Sequence, residues 1–496
     1  MKKTLAKLLA SLVMTLILLA VLEGVLRWLF PKRGEAHIPP KAPDTVRVVT
    51  LGESTVYGTP VPELGLVSML GHELRRMGLG DRLDLVNLGK PGTDSEELVK
   101  RLRQALDSGT DLVILLMGHN EYLNRRGEHP DSKTVWRDRI QSFALGRVLD
   151  SVAARIRDPR KARQFIMPDR LTPYDRASPW FAGRQDRFRR NLGEMVDLCR
   201  RAGVPLVLCT APCNLADWPP VHKDIAWCSP IPDYDAVVAD LRARIEAGQW
   251  EGAARRAAET QAQYGEEAML QYLQGRAAQA ASHYDEALRL YQRARDLDPY
   301  PWRASSALND ITRSFSDTPE VLFEDIEQDF IQAASNGLVG FDLIADNCHP
   351  TPRGSARVAA RVARRIRESR RLGDLAEAHP PEELLAEYLA DLGKRGQADS
   401  LQLEWNLQNA IYCMKSPFYF FEVSQRYLEA ALQAHPENWR LYANRAAVHW
   451  LCGRIPEGRA DLDTAERLKG SRLDIEDRSV APYLKEAMGK AGIPRS

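Results

Sequence analysis

The chain has 496 residues, enough for two to four domains. Lys and Arg total 68 against 67 Asp and Glu, so charge makes no case for a nucleic-acid partner. Apolar residues make up 44%, which suits a packed chain and excludes a disordered one.

The first element in chain order is apolar. Lys2 and Lys3 precede an uncharged run over 8–22, which continues past Glu23 and Arg27 to Phe30. About 20 apolar residues cross a bilayer, and no small-residue cleavage pattern follows closely. Residues 1–30 therefore read as an uncleaved signal anchor, a single membrane-spanning helix. Basic residues flank both ends, and the orientation expected has the N-terminus inside and the body outside the cytoplasm, in a periplasmic or similar compartment. Pro-containing residues 31–44 read as a spacer.

From Val46 onward, strand-like runs alternate with helical spacing. The run 46–51 is β-branched and aliphatic and ends at Gly52-Glu53-Ser54. A second strand is predicted over 83–88, ending at Gly89, and a fully buried third over 111–117, ending at Gly118-His119-Asn120-Glu121. A helix is predicted over 95–108 between them. Residues 124–179 are polar and Arg-rich, an irregular excursion with one or two helices. A helix over 188–202, a strand over 204–211, a strand over 321–326 and a closing helix over 354–368 complete the series. Such alternation predicts an α/β fold, with a parallel sheet covered by helices on both faces.

Two helical regions interrupt and follow this series. Residues 236–299 are rich in Ala, Arg and Glu. Within them Gly275, Ala287, Tyr291, Ala294 and Pro299 fall at the intervals of a 34-residue tetratricopeptide helix pair, without its large first-helix aromatic. Residues 373–496 repeat the theme, with Ala446, Gly453 and Ala465 in register. An ordinary helical bundle is the other reading of both. The boundaries expected are a core over 45–235 and 300–372, the insertion 236–299 between its halves, and a C-terminal helical repeat region over 373–496.

The seven cysteines, at 199, 209, 213, 228, 348, 413 and 452, are too scattered for a disulfide framework. Cys213 and Cys228 could bridge in an oxidising compartment or remain two thiols. Cys209 and Cys213 have no second Cys or His pair to complete a zinc site.

Ser54 alone reads as a strand-end residue capping a helix. It gains meaning from Asp346-Asn347-Cys348-His349. An Asp three residues before a His can seat its carboxylate on Nδ1 in a turn, leaving Nε2 to take a proton from a serine. A surface loop or a metal-ligand pair are the other readings of a lone D-x-x-H. Ser54, Gly89, Asn120 and the Asp346/His349 pair all follow strands, at the sheet edge where α/β proteins bind ligands. Together they suit acyl transfer. Ser54 attacks a carbonyl, and the N–H groups of Ser54 and Gly89 with the Asn120 amide form an oxyanion hole.

In these blocks the sequence resembles the SGNH, or GDSL-like, hydrolase family. The serine block, the glycine, the Gly-x-Asn block and the Asp-x-x-His block occur in the family's order. Glu53 and Glu121 stand where Asp is usual, and neither is expected to carry the mechanism. Asn214 to Pro220 looks like a loop of membrane-anchored members that also carry tetratricopeptide repeats. The resemblance implies a flavodoxin-like three-layer α/β/α core with a Ser54–His349–Asp346 triad. It also implies ester hydrolysis with neither metal nor cofactor, and an acyl-ester substrate on carbohydrate or lipid. Acyl transfer to a glycan hydroxyl uses the same groups, and a scaffold with a silent core is the non-enzymatic alternative. The repeats are expected to face a protein partner or shape access.

Four further readings remain two-sided. His119 touches substrate or is structural. Asp325 lines the crevice or caps a turn. Trp218 walls a pocket or anchors a loop. The Arg-rich run 357–371 is a solvated helix face or an anion site.

Overall fold

The computed structural model describes residues 38–123, 176, 178–221, 229–415, 418–474 and 481–493, together with Met14. The chain divides into two units. Pro40–Leu123 and Thr172–Ser496 form the one described below, while Met1–Pro39 with Asn124–Leu171 lies almost wholly outside the described residues. The predicted anchor, the spacer up to 37, the excursion as far as 175 and Cys228 therefore fall outside the description. Among the described residues no helix is long and apolar enough to cross a membrane.

Five parallel strands form one sheet: β1 (Val46–Gly52), β2 (Leu83–Asn87), β3 (Leu112–Leu116), β4 (Leu206–Cys209) and β5 (Val321–Glu324), in the order β2-β1-β3-β4-β5. Every predicted strand is present; the first extends one residue further, to Gly52, and the other four are shortened at their ends. The apolar run of β3 is buried at all five positions, as a central strand with both faces covered requires. β1 carries a charge in the sheet, Arg47. It is tolerated because its guanidinium reaches Asp84 at 2.7 Å and the Ser108 carbonyl at 2.7 Å.

This order is the flavodoxin-like one. The chain leaves β1 for β2 on one side and then returns to β3 on the other. The crevice at that reversal lies at the carboxyl ends of β1 and β3. Ser54 follows β1 there, and Asn120 follows β3.

The predicted helix over 188–202 starts earlier, as Pro179–Ala202. Ser178 accepts from the Phe181 N–H at 3.2 Å and Pro179 occupies the first turn, a start signal that the surrounding arginines obscured. The insertion consists of two helical hairpins, Tyr234–Glu246 with Trp250–Tyr264 and Ala268–Ala280 with Tyr284–Leu297. The closing helix is Pro352–Ser369. After it come Pro381–Lys394, Ala398–Cys413, Phe421–Ala434, Trp439–Leu451, Ile455–Lys469 and Leu484–Lys490. The apolar core of the sheet does not stop with the closing helix. Leu384, Tyr388, Leu392 and Trp405 belong to it, and a second core begins around Leu407 and Ala410.

The Arg-rich face of Pro352–Ser369 is committed to neighbouring carboxylates. Arg357 meets Asp329 at 2.5 Å, while Arg361 and Arg365 meet Glu324 at 2.7 and 2.6 Å. Arg364, Arg370 and Arg371 are exposed, so the run is a solvated face in part and an ion-paired one in part.

Candidate active site

The serine side is built from the end of β1. Gly52 ends the strand and Glu53 precedes a single helical turn, Ser54–Tyr57. As the first residue of that turn, Ser54 has no helical acceptor for its N–H. Ser54 is 8% exposed.

The histidine side is a tight loop closed by a bridge between Ile344 and Pro350. Asp346 organises it with both oxygens. Oδ1 accepts from the backbone N–H of Cys348 at 2.9 Å and of His349 at 2.8 Å. Oδ2 accepts from His349 Nδ1 at 2.6 Å. The spacing of three is thus explained, because one carboxylate fixes both the turn and the ring it carries. His349 Nε2 lies 2.8 Å from Ser54 Oγ, across 295 residues of sequence. Burial alone would raise the Asp346 carboxyl. The His349 imidazole and the two amides outweigh it and hold that carboxyl below the usual range.

The loop after β4 buttresses the histidine side. The Asn214 N–H donates to the Asn347 carbonyl at 3.0 Å, and its side-chain amide donates to the Ile344 carbonyl at 3.3 Å. Trp218 in the same loop is 2% exposed and packs on Phe418 and Phe420, with centroids 5.2 and 4.4 Å away. It is an anchor for the loop.

The asparagine side follows β3. Gly118 has φ +136°, which glycine adopts freely, and turns the chain so that three successive N–H groups face one acceptor. That acceptor is Glu53. Oε1 accepts from Gly118 and Asn120, both at 3.1 Å, and Oε2 from His119 at 2.9 Å. The sequence reading gave Glu53 no part in the site, and the geometry corrects this. The residue beside the serine aims the loop that presents Asn120. The clue was present in the sequence as an acidic residue within an apolar strand end, whose burial requires donors. Burial pushes the Glu53 carboxyl up to about 8, against the pull of the three N–H groups. Glu121 accepts from the Ser95 N–H at 3.2 Å, and burial raises it to about 7.

Asn120 Nδ2 is buried and has no hydrogen-bond partner among the described residues. A buried donor without an acceptor costs about 1–3 kcal/mol, and a functional site is where such a cost persists. Gly89 differs from its expected role. Its N–H donates to Asn87 Oδ1 at 2.9 Å, so it is already engaged. What Gly89 does supply is space, since a Cβ there would lie 2.2 Å from the Tyr57 N. His119 is 1% exposed, and its Nδ1 accepts from the Ala304 N–H at 3.1 Å. That bond leaves the proton on Nε2, which has no partner among the described residues. Burial, and then the charge of His349, lower its pKa to about 3, so the ring stays neutral. Asp325 caps Ile326–Ala333 through the Gln328 N–H at 3.1 Å and pairs with Arg313 at 2.8 Å, away from any chemistry.

Asp346, Cys348 and His349 bring three metal-type donor atoms within 4.8 Å of one another. The set fits a metal poorly, because both imidazole nitrogens are already engaged, one by Asp346 and one by Ser54. Burial, then the Asp346 charge, also hold the Cys348 thiol well above its ordinary pKa.

The C-terminal helices reach this loop. The Tyr412 ring stands edge-on to the His349 ring, centroids 5.8 Å apart and planes at 89°. Its hydroxyl donates to Asn347 Oδ1 at 3.1 Å, and the Tyr427 hydroxyl donates to the Ala345 carbonyl at 2.7 Å. Nothing in the repeat pattern of the sequence announced this contact.

No protein-family model and no curated protein matches the chain. Among solved structures, the chain is similar to one described as an acylhydrolase from Bacteroides fragilis NCTC 9343. Identity is 13% over 69% of this chain and 98% of that one, with a TM-score of 0.31. It is also similar to a lipase/acylhydrolase from Enterococcus faecalis, at 15% identity over 68% of this chain and 100% of that one, with a TM-score of 0.25.

Proposed function

We propose that the protein is a serine esterase of the SGNH type, cleaving an acyl ester through Ser54, His349 and Asp346. The observation that carries this reading is the continuous chain Ser54 Oγ, His349 Nε2, His349 Nδ1, Asp346 Oδ2, with links of 2.8 and 2.6 Å. Ser54 Oγ attacks the carbonyl carbon and gives its proton to Nε2. Asp346 holds the tautomer and stabilises the imidazolium. The tetrahedral oxygen accepts from the Ser54 N–H and from Asn120 Nδ2. The proton on Nε2 then passes to the leaving alcohol as the C–O bond breaks, leaving an acyl-serine. Water attacks this with His349 as base and releases the acid. A preorganised donor such as Asn120 contributes about 3 kcal/mol to lowering the barrier.

Transfer of the acyl group to a glycan hydroxyl would use the same steps with the hydroxyl replacing water. A silent scaffold is disfavoured by the buried Asn120 amide, unpartnered among the described residues, which a scaffold has no reason to keep. Residues 1–30 are proposed as the membrane tether, with the body outside the cytoplasm. Recovery of the intact chain in a washed membrane fraction, lost on deleting 1–30, tests that assignment.

The function itself is tested with 4-nitrophenyl acetate and a long-chain 4-nitrophenyl ester. Wild type should turn over at least one of them and Ser54→Ala neither. A well-folded wild type inert toward both, or a Ser54→Ala variant with full activity, would contradict the proposal.

A further inference from the structure

The loop after Ala398–Cys413 carries an ammonium group that the mechanism does not use. Lys415 is half-buried. Among the described residues no carboxylate pairs with it and no hydrogen bond to its Nζ is formed. Its neighbour is the Tyr412 ring, 5.2 Å from Nζ to the centroid. The other edge of that relationship is catalytic, because the same ring stands against His349. The ammonium therefore lies one aromatic ring away from the imidazole.

The turn is fixed. The Lys415 N–H donates to the Tyr412 carbonyl at 3.1 Å, and its own carbonyl accepts from Phe418 at 2.9 Å. Phe418 in turn packs on Trp302 and Tyr412, at centroid distances of 4.9 and 5.3 Å.

A half-buried ammonium without a counter-ion has lost part of its hydration, at some cost. The cation–π contact returns about 1–2 kcal/mol at most. Burial lowers the Lys415 pKa and the Asp346 charge opposes this, so the nearest negative charge felt is a carboxylate already engaged by His349.

We infer that Lys415, backed by Tyr412, binds an anionic group, a carboxylate or phosphate, carried by the ester substrate beside the scissile bond. This deepens the esterase reading and rests on it. The C-terminal helices then supply specificity, and the substrate class narrows to esters bearing a negative charge, such as those of uronic acids or phosphorylated carriers.

The test uses the full chain and three 4-nitrophenyl esters: the hemisuccinate, its neutral methyl ester, and a phosphate-bearing analogue. Wild type should show a KM about tenfold lower for at least one anionic ester than for the neutral one. The anion preferred tells carboxylate from phosphate. Lys415→Met should abolish that preference through KM with kcat on the neutral ester unchanged, and Lys415→Arg should keep it. Calorimetric titration of succinate and inorganic phosphate into wild type and Lys415→Met reads the same binding without turnover. It therefore separates failure of this inference from failure of the esterase reading. Equal KM values for all three esters in wild type, with no anion binding, would overturn the inference. So would a Lys415→Met variant that loses kcat equally on neutral and charged esters, which would make Lys415 a counter-charge for Asp346 instead.

Discussion

The two helical regions look alike in sequence and differ in what they touch. The insertion meets the core one step away from the chemistry. The Tyr272 hydroxyl donates to the Ala216 carbonyl at 2.6 Å, in the loop that buttresses 344–350, and Arg295 pairs with Glu327 at 2.7 Å. The C-terminal helices meet the 344–350 loop itself, through Tyr412 on His349 and Asn347 and Tyr427 on Ala345. Helical periodicity reports that a face is buried. It does not report against what. Two regions with the same pattern can therefore differ entirely in their hold on a reaction.

Both regions act on the histidine side of the site, while Glu53 governs the Asn120 side. Asn120→Ala should thus cost about 10²–10³ in kcat whatever either helical region does. Steady-state kinetics on a well-folded variant checks this, and a loss below threefold would remove Asn120 from the oxyanion hole. Tyr412→Ala, which frees the His349 ring on one side, should lower kcat by about 10- to 100-fold through misplacement of the imidazole. If it leaves kcat intact, the contrast between the regions breaks.

Glu53 sharpens the comparison from the opposite side. Its carboxyl is raised to about 8 in the folded chain, against about 4.3 when unfolded. Below the unfolded value both states hold the proton and the contribution is complete. Between the two values only the folded state holds it. Stability therefore falls as pH rises, by about 1.4 kcal/mol per pH unit from this group. Glu53→Gln should flatten the thermal-unfolding profile between about pH 5 and 8. An unchanged slope would show that burial does not govern this carboxyl. The smallest effect is expected in the insertion. Tyr272→Phe should cost about 1 kcal/mol of stability and leave kcat within twofold. A larger kinetic effect than that of Tyr412→Ala would invert the contrast.

The sheet was legible because β1 to β5 are short apolar runs bounded by Gly and polar residues, and period and length suffice to read them. Ser54, Asp346 and His349 were legible as a set because the blocks keep their order along the chain. The role of Glu53 was not, since a carboxylate beside a serine reads the same whether it faces water or three backbone N–H groups. Gly89 was read as an amide donor, but the Asn87 side chain two residues away engages that amide, and spacing cannot show a side-chain rotamer. Tyr412 and Lys415 were invisible for a third reason. Tyr412 reaches the His349 loop from more than 60 residues further along the chain, with Lys415 against its ring, through contacts that no local pattern encodes.

The account depends on Ser54 being a nucleophile activated by His349. Reaction of the full chain with a fluorophosphonate, followed by mass mapping of the modified peptide, tests this most directly. A single adduct on Ser54 is predicted, formed at least 10³-fold more slowly in Asp346→Asn, whose imidazole is held in the wrong tautomer. An adduct elsewhere, none on folded wild type, or equal rates in the two proteins would contradict it.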